Sequence, residues 1–558
     1  MGRAGRGARH ARRQDREGRA HARPGRRRAR QRPARAGLRR HCPGALRGRR
    51  PRRARLRCAR GCWEGRGARR GRRGARSRVA GVRRRGARAR AREAGRQARD
   101  GGRGLGRRPA RRRPGLGACL VARATQARRV ALSLLGERRR RGARARDLLR
   151  GSEAANALSE RDRGFAMRLV MGVTAAEGAL DRAIGAHLRR GARLEPRVRD
   201  ALRLASFELL YLGGREDVCV SQGVELVRGV APRAAGLANA VLHRVAERDV
   251  PALAEARRRV EAGAFDAADL ALVGALPEWL CVRVLESTGA GRAAAWALAA
   301  LEPAGAWVAA NRVRHTTDEV AALLEGAGCA PAPGPVAGSF SLGRPSALVP
   351  SGLVERVDVL PCDLAAQEVA LACAPAPGER VLEVGSGRGT KTVLLEGAAV
   401  AAGGTCRIVA VEADARRSER AAARMAAAGV ADHVRCASAD GRELDDSYGS
   451  FDLVFVDAPC TGTGTLARHP EIAWSLAPEA PAELARLQGE LLASAAARVG
   501  EGGRLAYATC SVLAEENGRV VEAFLAGPAG AGFVLEDAGL TEARPGTDTH
   551  FCATLRRR

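Results

Sequence analysis

Lysine is all but missing from this chain. Of 98 basic residues in 558, only Lys391 is a lysine. It closes a glycine-rich stretch, GSGRGTKT, in a composition that otherwise uses arginine. The two cations differ in shape and hydration, so one reading is a tight polar site that needs the compact ammonium; the other is chance. The 14 cysteines include no CxxC pair and no Cys/His cluster at zinc spacing, which argues against a bound metal. The sequence also lacks a signal peptide and an apolar run of membrane-spanning length. The expectation is a cytoplasmic protein with reduced thiols and no membrane contact.

Excess charge is missing from most of the chain as well. The net charge of +39 suggests a nucleic-acid binder, but its distribution is uneven. Residues 1–120 hold 45 arginines and 5 acids, whereas the remainder holds 53 basic and 54 acidic residues. That first segment contains no Ile, Phe, Tyr, Asn, Lys or Thr. Such a composition cannot bury enough apolar surface to offset chain entropy, so it is expected to be disordered. It reads either as an arginine-rich RNA-binding arm or as the product of a start codon placed too far upstream. The second reading puts the true start near Leu120 or Val121.

The remainder divides by pattern. Residues 121–250 read as all-helical. Ser159 followed by Asp162 is a variant capping box, with Phe165, Leu169, Val170 and Val173 on one face beyond it. Val198, Leu202, Ala205 and Leu209 form a core-facing stripe. Residues 251–375 read as a small α+β subdomain. It has a helix in LPEWLCVRVLEST, a strand in AWVAANRVR, a capped helix in TTDEVAALLEGAG and a loop in CAPAPGPVAGS. From 376 to 558 strands and helices alternate. RVLEVG, RIVAVEAD, FDLVFVDAP and GRLAYATC predict a doubly wound, parallel α/β sheet.

Two kinds of motif sit at the strand ends of that sheet. Gly385, Ser386, Gly387, Arg388, Gly389, Thr390 and Lys391 link the first strand to a helix. Glycines there admit a close ligand, and the helix N-terminus favours negative charge. Glu412 ends the next strand, where a carboxylate accepts hydrogen bonds from ribose hydroxyls. The GxGxG spacing leans toward an S-adenosyl-L-methionine site, with a dinucleotide fold still possible. Asp440 ends the third strand and is either an adenine contact or a turn residue. The second kind of motif is a cysteine at a strand end: FVDAPC carries Cys460 and YATC carries Cys510. In a doubly wound sheet these strands are neighbours about 4.8 Å apart, so both thiols would open into one crevice. Cys219, Cys281 and Cys373 instead suit the role of small buried hydrophobes.

DAPCTGTGTLARHPEIAW and YATCSVLAEENGRVVEAFL resemble motifs IV and VI of the RNA cytosine-5 methyltransferases, and within them the bacterial Sun/RsmB type. Residues 122–250 resemble the NusB-like RNA-binding domain that this subgroup carries. The resemblance implies an all-α domain, a small α+β subdomain and a class I, Rossmann-like methyltransferase domain dependent on S-adenosyl-L-methionine. It also implies small-subunit ribosomal RNA as substrate, and a monomer is expected. Cys510 becomes the nucleophile toward cytosine C6, Cys460 the group that assists release, and Asp457 the partner of the cytosine N3 edge. Residues 385–391, Glu412, Asp440 and Asp457 fall to the cofactor, and Arg468 and His469 to RNA phosphates or a solvated loop. A helix beginning just after Cys510 is expected to lower its thiol pKa. The usual CAAPGGKT-like loop has become GSGRGTKT, Glu383 stands for the usual Asp, and Cys362 stands where Gln is common. The alternatives are the same chemistry on transfer RNA, a DNA cytosine methyltransferase with a PC-type nucleophile, and an RNA-binding antitermination factor with an inactive methyltransferase domain.

Overall fold

The computed structural model describes residues 123–558, so the readings made for residues 1–120 lie outside the described residues. The first described part is helical because its apolar residues recur at helical spacing and its helices are capped. The Ser159 hydroxyl accepts the Asp162 backbone N–H at 3.1 Å and opens helix Glu160–Ala175. Helix Pro196–Tyr211 runs through the middle of this part. Val198, Leu202, Ala205 and Leu209 are all buried in one cluster with Leu169, Val170 and Val173. Phe165 is half-buried at the edge of that cluster, beneath the Arg128 guanidinium. Glu208 lies inside and accepts two hydrogen bonds from Arg128, at 2.8 and 2.5 Å, so the buried charge is paired. Cys219 and Cys281 are buried, as their reading as small hydrophobes required.

The next part holds helix Glu278–Ala299, broken at Gly289 where φ is 75°, and a four-stranded antiparallel sheet. Its strands are β1 (Trp307–Ala310), β2 (Pro331–Pro333), β3 (Ser339–Leu342) and β4 (Val359–Pro361), in the order β2-β3-β1-β4. The strand expected in AWVAANRVR stops at Ala310. Asn311 turns the chain away, with its buried amide donating to Val357 O and Ala428 O, both at 2.9 Å. The loop expected in CAPAPGPVAGS is partly a strand, because β2 lies at the sheet edge, where proline removes no needed ladder donor. Thr316 and Glu319 form a capping box at the start of helix Thr317–Gly326, the helix expected in TTDEVAALLEGAG.

The C-terminal sheet has seven strands: β5 (Arg380–Val384), β6 (Arg407–Glu412), β7 (Val434–Ser438), β8 (Phe451–Asp457), β9 (Val499–Thr509), β10 (Phe533–Leu540) and β11 (Phe551–Arg557). Their order is β10-β11-β9-β8-β5-β6-β7. β9, β8, β5, β6 and β7 pair in parallel, as the alternating pattern predicts, while β11 is antiparallel to both of its neighbours. Strand order reverses between β5 and β8, and the crevice above that switch point is where such sheets bind ligands. Helices Thr390–Ala401 and Ala415–Ala428 cover one face through Val393, Leu395, Met425 and Ala428. Helices Ala480–Ala496 and Gly518–Ala526 cover the other through Leu492, Ala495, Val521 and Phe524. No described helix is long and apolar enough to cross a membrane.

Candidate active site

The glycine loop lies at the C-terminal end of β5. The N–H groups of Gly385 and Ser386 both donate to Val411 O on β6, at 2.9 and 3.0 Å. Gly385 has φ 85°, and a Cβ there would come within 2.4 Å of Asp457 O. Only glycine fits that close approach between β5 and β8. Gly389, also left-handed, packs against Met425 and starts the helix that carries Thr390 and Lys391. Arg424 donates to Thr390 Oγ1 at 2.9 Å and to Arg388 O at 3.3 Å, which ties the loop to helix Ala415–Ala428. Glu412, buried at the end of β6, accepts the N–H of Gly387 and that of Asp414, each at 3.0 Å.

Beneath the loop Glu383 is fully buried. One oxygen accepts the Thr392 hydroxyl at 2.5 Å, and the other has no hydrogen-bond partner. Burial pushes its carboxyl up to about 7, with Asp457 adding to the shift and Thr392 and Lys391 opposing it.

Lys391 Nζ meets Asp457 Oδ2 at 2.6 Å. Burial works against the ammonium, but Asp457, with Cys362 and Cys510 nearby, outweighs it and holds Lys391 above the usual lysine range. Burial likewise pushes the neighbouring Cys362 thiol up to about 12.

The two strand-end thiols meet. β8 and β9 run in parallel with Asp457 opposite Ala508, and each chain continues a few residues beyond. Cys460 Sγ and Cys510 Sγ are 3.1 Å apart, unbonded, and the Cys510 N–H donates to Cys460 Sγ at 3.2 Å. The Cys460 thiol is pushed well above its ordinary value, first by its hydrogen bond to Cys510, then by burial and by the charges of Cys510 and Glu516. Where two such groups interact, the first proton lost leaves the other thiol as donor to the thiolate.

Three expected placements differ. No helix begins just after Cys510: residues 514–516 form a 3₁₀ turn, and the helix starts only at Gly518. The segment turns inward because Glu516 is needed inside as an acceptor. Asp440 lies just beyond β7 and folds back onto Arg442, whose guanidinium bonds both carboxylate oxygens and holds its pKa at about 2. It is a turn residue in this structure. Arg468 is an internal brace: it bonds Asp548 Oδ2 at 2.9 Å, Gly305 O at 3.0 Å and the Asp363 carboxylate. Both aspartates are buried, so the guanidinium is committed to them and not offered to phosphate. His469 stays at the surface beside Glu471, with Nδ1 and Oε1 3.7 Å apart.

The sheet order, the glycine loop and the paired thiols can be set beside known proteins. A family model described as 16S rRNA methyltransferase RsmB/F matches residues 370–542, and the NusB family model matches residues 125–247. Ribosomal RNA small subunit methyltransferase B of Thermus thermophilus is 33% identical over 428 residues, which is 75% of this chain and 94% of that one. The chain belongs to the RsmB/F methyltransferase family. The protein of the same name from Escherichia coli is 30% identical over 66% of this chain and 83% of its own. The crystal structure of PH0851 shares the fold, with a TM-score of 0.60, 22% identity and coverage of 77% of this chain and 98% of that one. As a family member the protein is an RNA methyltransferase with an N-terminal NusB domain.

Several residues around this RsmB/F-type site escape a motif-based reading. Trp474 reaches from the Cys460 loop into the helical part, donating to Ala175 O at 2.8 Å and Ala275 O at 3.1 Å beneath the Arg182 guanidinium. Gly178 makes room for it, since a Cβ there would lie 2.1 Å from the indole. Leu466, Ala473, Val512 and Leu513, from the segments that follow the two cysteines, share a core with helix Glu278–Ala299. A tryptophan in a loop otherwise rich in small and polar residues was the available signal for this docking.

Proposed function

We propose that the protein methylates carbon 5 of a cytosine in small-subunit ribosomal RNA, with S-adenosyl-L-methionine as methyl donor and a covalent Cys510–C6 adduct as intermediate. The observation that carries this reading is the pair of free thiols 3.1 Å apart beside the Lys391–Asp457 ion pair. The crevice fits the cofactor. A Cβ at Gly387 would meet nothing closer than 3.9 Å, so the loop is open there, while Glu412 stands behind it with its carboxylate fixed. Gly385 to Lys391 and Glu412 are the residues that would hold it. The cofactor supplies an electrophilic methyl group to the crevice.

The chain's own residues divide the rest of the chemistry. Cytosine C5 is a poor nucleophile until a thiolate adds to C6 and gives the ring enamine character. Lys391, held by Asp457, lies near Cys510. The Cys460 thiol donates to that sulfur until the bond to C6 forms. With that acceptor gone, the Cys460 proton passes to solvent and the sulfur serves as the base, a step that burial and Glu516 still oppose. It takes the proton from C5, the C5=C6 bond re-forms, and Cys510 leaves as thiolate. We assign Asp457 to the N3 edge of the ring, where a proton shared between the carboxyl and N3 would offset the charge that develops. The base must be unstacked or already in a loop to enter.

Choice of ribosomal RNA is supported by the names of the Thermus and Escherichia relatives, and a cytoplasmic location accords with that substrate. The test is incubation of the full chain with the cofactor and unmodified small-subunit RNA, followed by nucleoside mass spectrometry. The expected product is 5-methylcytidine, absent with Cys510→Ala. Methylation at another atom, or on transfer RNA alone, would overturn the proposal.

A further inference from the structure

Each thiol is followed by a hydroxyl residue, Thr461 after Cys460 and Ser511 after Cys510. Both bond the same carboxylate. Glu516 Oε2 accepts the Thr461 hydroxyl at 2.5 Å and the Ser511 hydroxyl at 2.6 Å. Its Oε1 accepts the Thr461 N–H at 2.8 Å and Gln488 Nε2 at 3.1 Å. The same Gln488 amide donates to Pro459 O at 2.8 Å, so the residues on both sides of Cys460 are tied to one buried network. Glu516 has no solvent exposure. Its charge is felt at Cys460, and its backbone carbonyl is itself fixed by the Tyr507 hydroxyl at 2.6 Å.

The two thiols depend on this carboxylate unequally. Cys510 follows β9 directly, and Asn517 clamps both of its neighbours: Thr509 Oγ1 donates to Asn517 Oδ1 at 2.5 Å, and Asn517 Nδ2 donates to Ser511 O at 2.9 Å. Cys460 stands farther from the end of β8; Gln488 holds Pro459 O on one side, and on the other Thr461 gives both its N–H and its hydroxyl to Glu516, whereas Ser511 gives its hydroxyl alone. Loss of Glu516 therefore loosens Cys460 more than Cys510.

We propose that Glu516 is a positioning residue that sets the separation of the two thiols, and that through Cys460 it controls release of the methylated base more than attack upon it. The inference rests on the cytosine-5 reading above. On that reading attack forms the bond from Cys510 to C6. Release moves the C5 proton to Cys460, re-forms the C5=C6 bond and returns the Cys510 thiolate. A Cys460 displaced by about 1 Å costs on the order of 100-fold in the second step and leaves the first largely intact.

The test compares wild type, Glu516→Gln, Thr461→Val and Cys460→Ala, all as the full chain with the cofactor and small-subunit RNA. Denaturation-resistant protein–RNA adduct and 5-methylcytidine turnover are both followed. Cys460→Ala must trap adduct. If it traps none while wild type methylates C5, the thiol roles themselves fail, and this inference with them. If it does trap adduct, Glu516→Gln is expected to accumulate adduct despite an intact Cys460, with turnover lowered on the order of 100-fold and single-turnover adduct formation lowered less than about 10-fold. A structural defect alone lowers both together and accumulates nothing, and that result would overturn the inference while leaving the cytosine-5 reading intact. Wild-type turnover would overturn it equally. Thr461→Val removes the hydroxyl bond to Glu516, with the 3.3 Å hydroxyl contacts to Thr463 and Ser511, but keeps the backbone N–H to Glu516, so it decides the matter if Glu516→Gln does not fold; a weaker accumulation of adduct is expected, and none would count against the inference.

Discussion

Glu383 makes the stability of the methyltransferase domain depend on pH in a direction opposite to that of most carboxylates. Its folded-state pKa is about 7 against an ordinary 4.5, and burial is the main cause. The folded protein therefore holds this proton more tightly than the unfolded chain between those values. Unfolding free energy falls as pH rises through that window, and the full cost of the buried charge is present above pH 7. The difference corresponds to about 3 kcal/mol, at ~1.4 kcal/mol for each tenfold change in proton affinity. Glu383→Gln keeps the shape and the acceptor for Thr392 but cannot ionise. It carries a pH-independent offset of about 1–3 kcal/mol from its imperfectly paired amide, so the informative quantity is the change with pH. The difference in Tm between variant and wild type, measured by scanning calorimetry from pH 5 to 8, should move in the variant's favour as pH rises. For a domain of this size the swing is on the order of 6–12 °C. A difference independent of pH, or one moving in the wild type's favour, would refute the reasoning.

Lys391→Arg keeps the charge but not the compact ammonium. Its larger fork should not fit beside Asp457, and cofactor affinity measured by calorimetric titration should fall at least several-fold; unchanged affinity would return the lone lysine to chance. Arg468→Ala leaves Asp363 and Asp548 buried without their cation, a loss of about 3–5 kcal/mol visible in chemical denaturation. Were Arg468 a phosphate contact instead, stability would hold and the salt dependence of RNA binding would weaken. Trp474→Ala empties the indole's seat against Gly178 and two backbone carbonyls. About 2–4 kcal/mol of loss should appear as faster proteolysis between the helical part and the methyltransferase sheet, and an unchanged cleavage rate would count against this docking.

The sequence made legible what repeats locally. Alternating apolar runs marked β5, β6, β8 and β9, and two cysteines at matching strand ends foretold one crevice, because adjacent parallel strands present their C-terminal ends together. The glycine loop and Glu412 were legible for the same reason. What escaped depends on partners far along the chain. Arg468 looked free because the aspartates that bind it lie 105 and 80 residues away. The acidic segment after Cys510 read as the start of a helix because helix propensity gives no sign that Glu516 is drawn inside by Thr461, Ser511 and Gln488. Asp440 was captured by Arg442, a competition between neighbours that strand-end logic does not weigh. The antiparallel β11 and the edge strand β2 lacked a strong local pattern; β11 takes its place by pairing between β9 and β10, and β2 at a sheet edge.

The division of labour between the thiols is most directly tested by trapping. Full-length Cys460→Ala and Cys460→Ala/Cys510→Ala are each incubated with S-adenosyl-L-methionine and unmodified small-subunit RNA, then denatured and resolved by gel. A covalent protein–RNA species in the single variant that disappears in the double variant is the predicted result, with Cys510 as nucleophile and Cys460 needed for release. A species that survives loss of Cys510, or its absence from both variants while the wild type forms 5-methylcytidine, would contradict it.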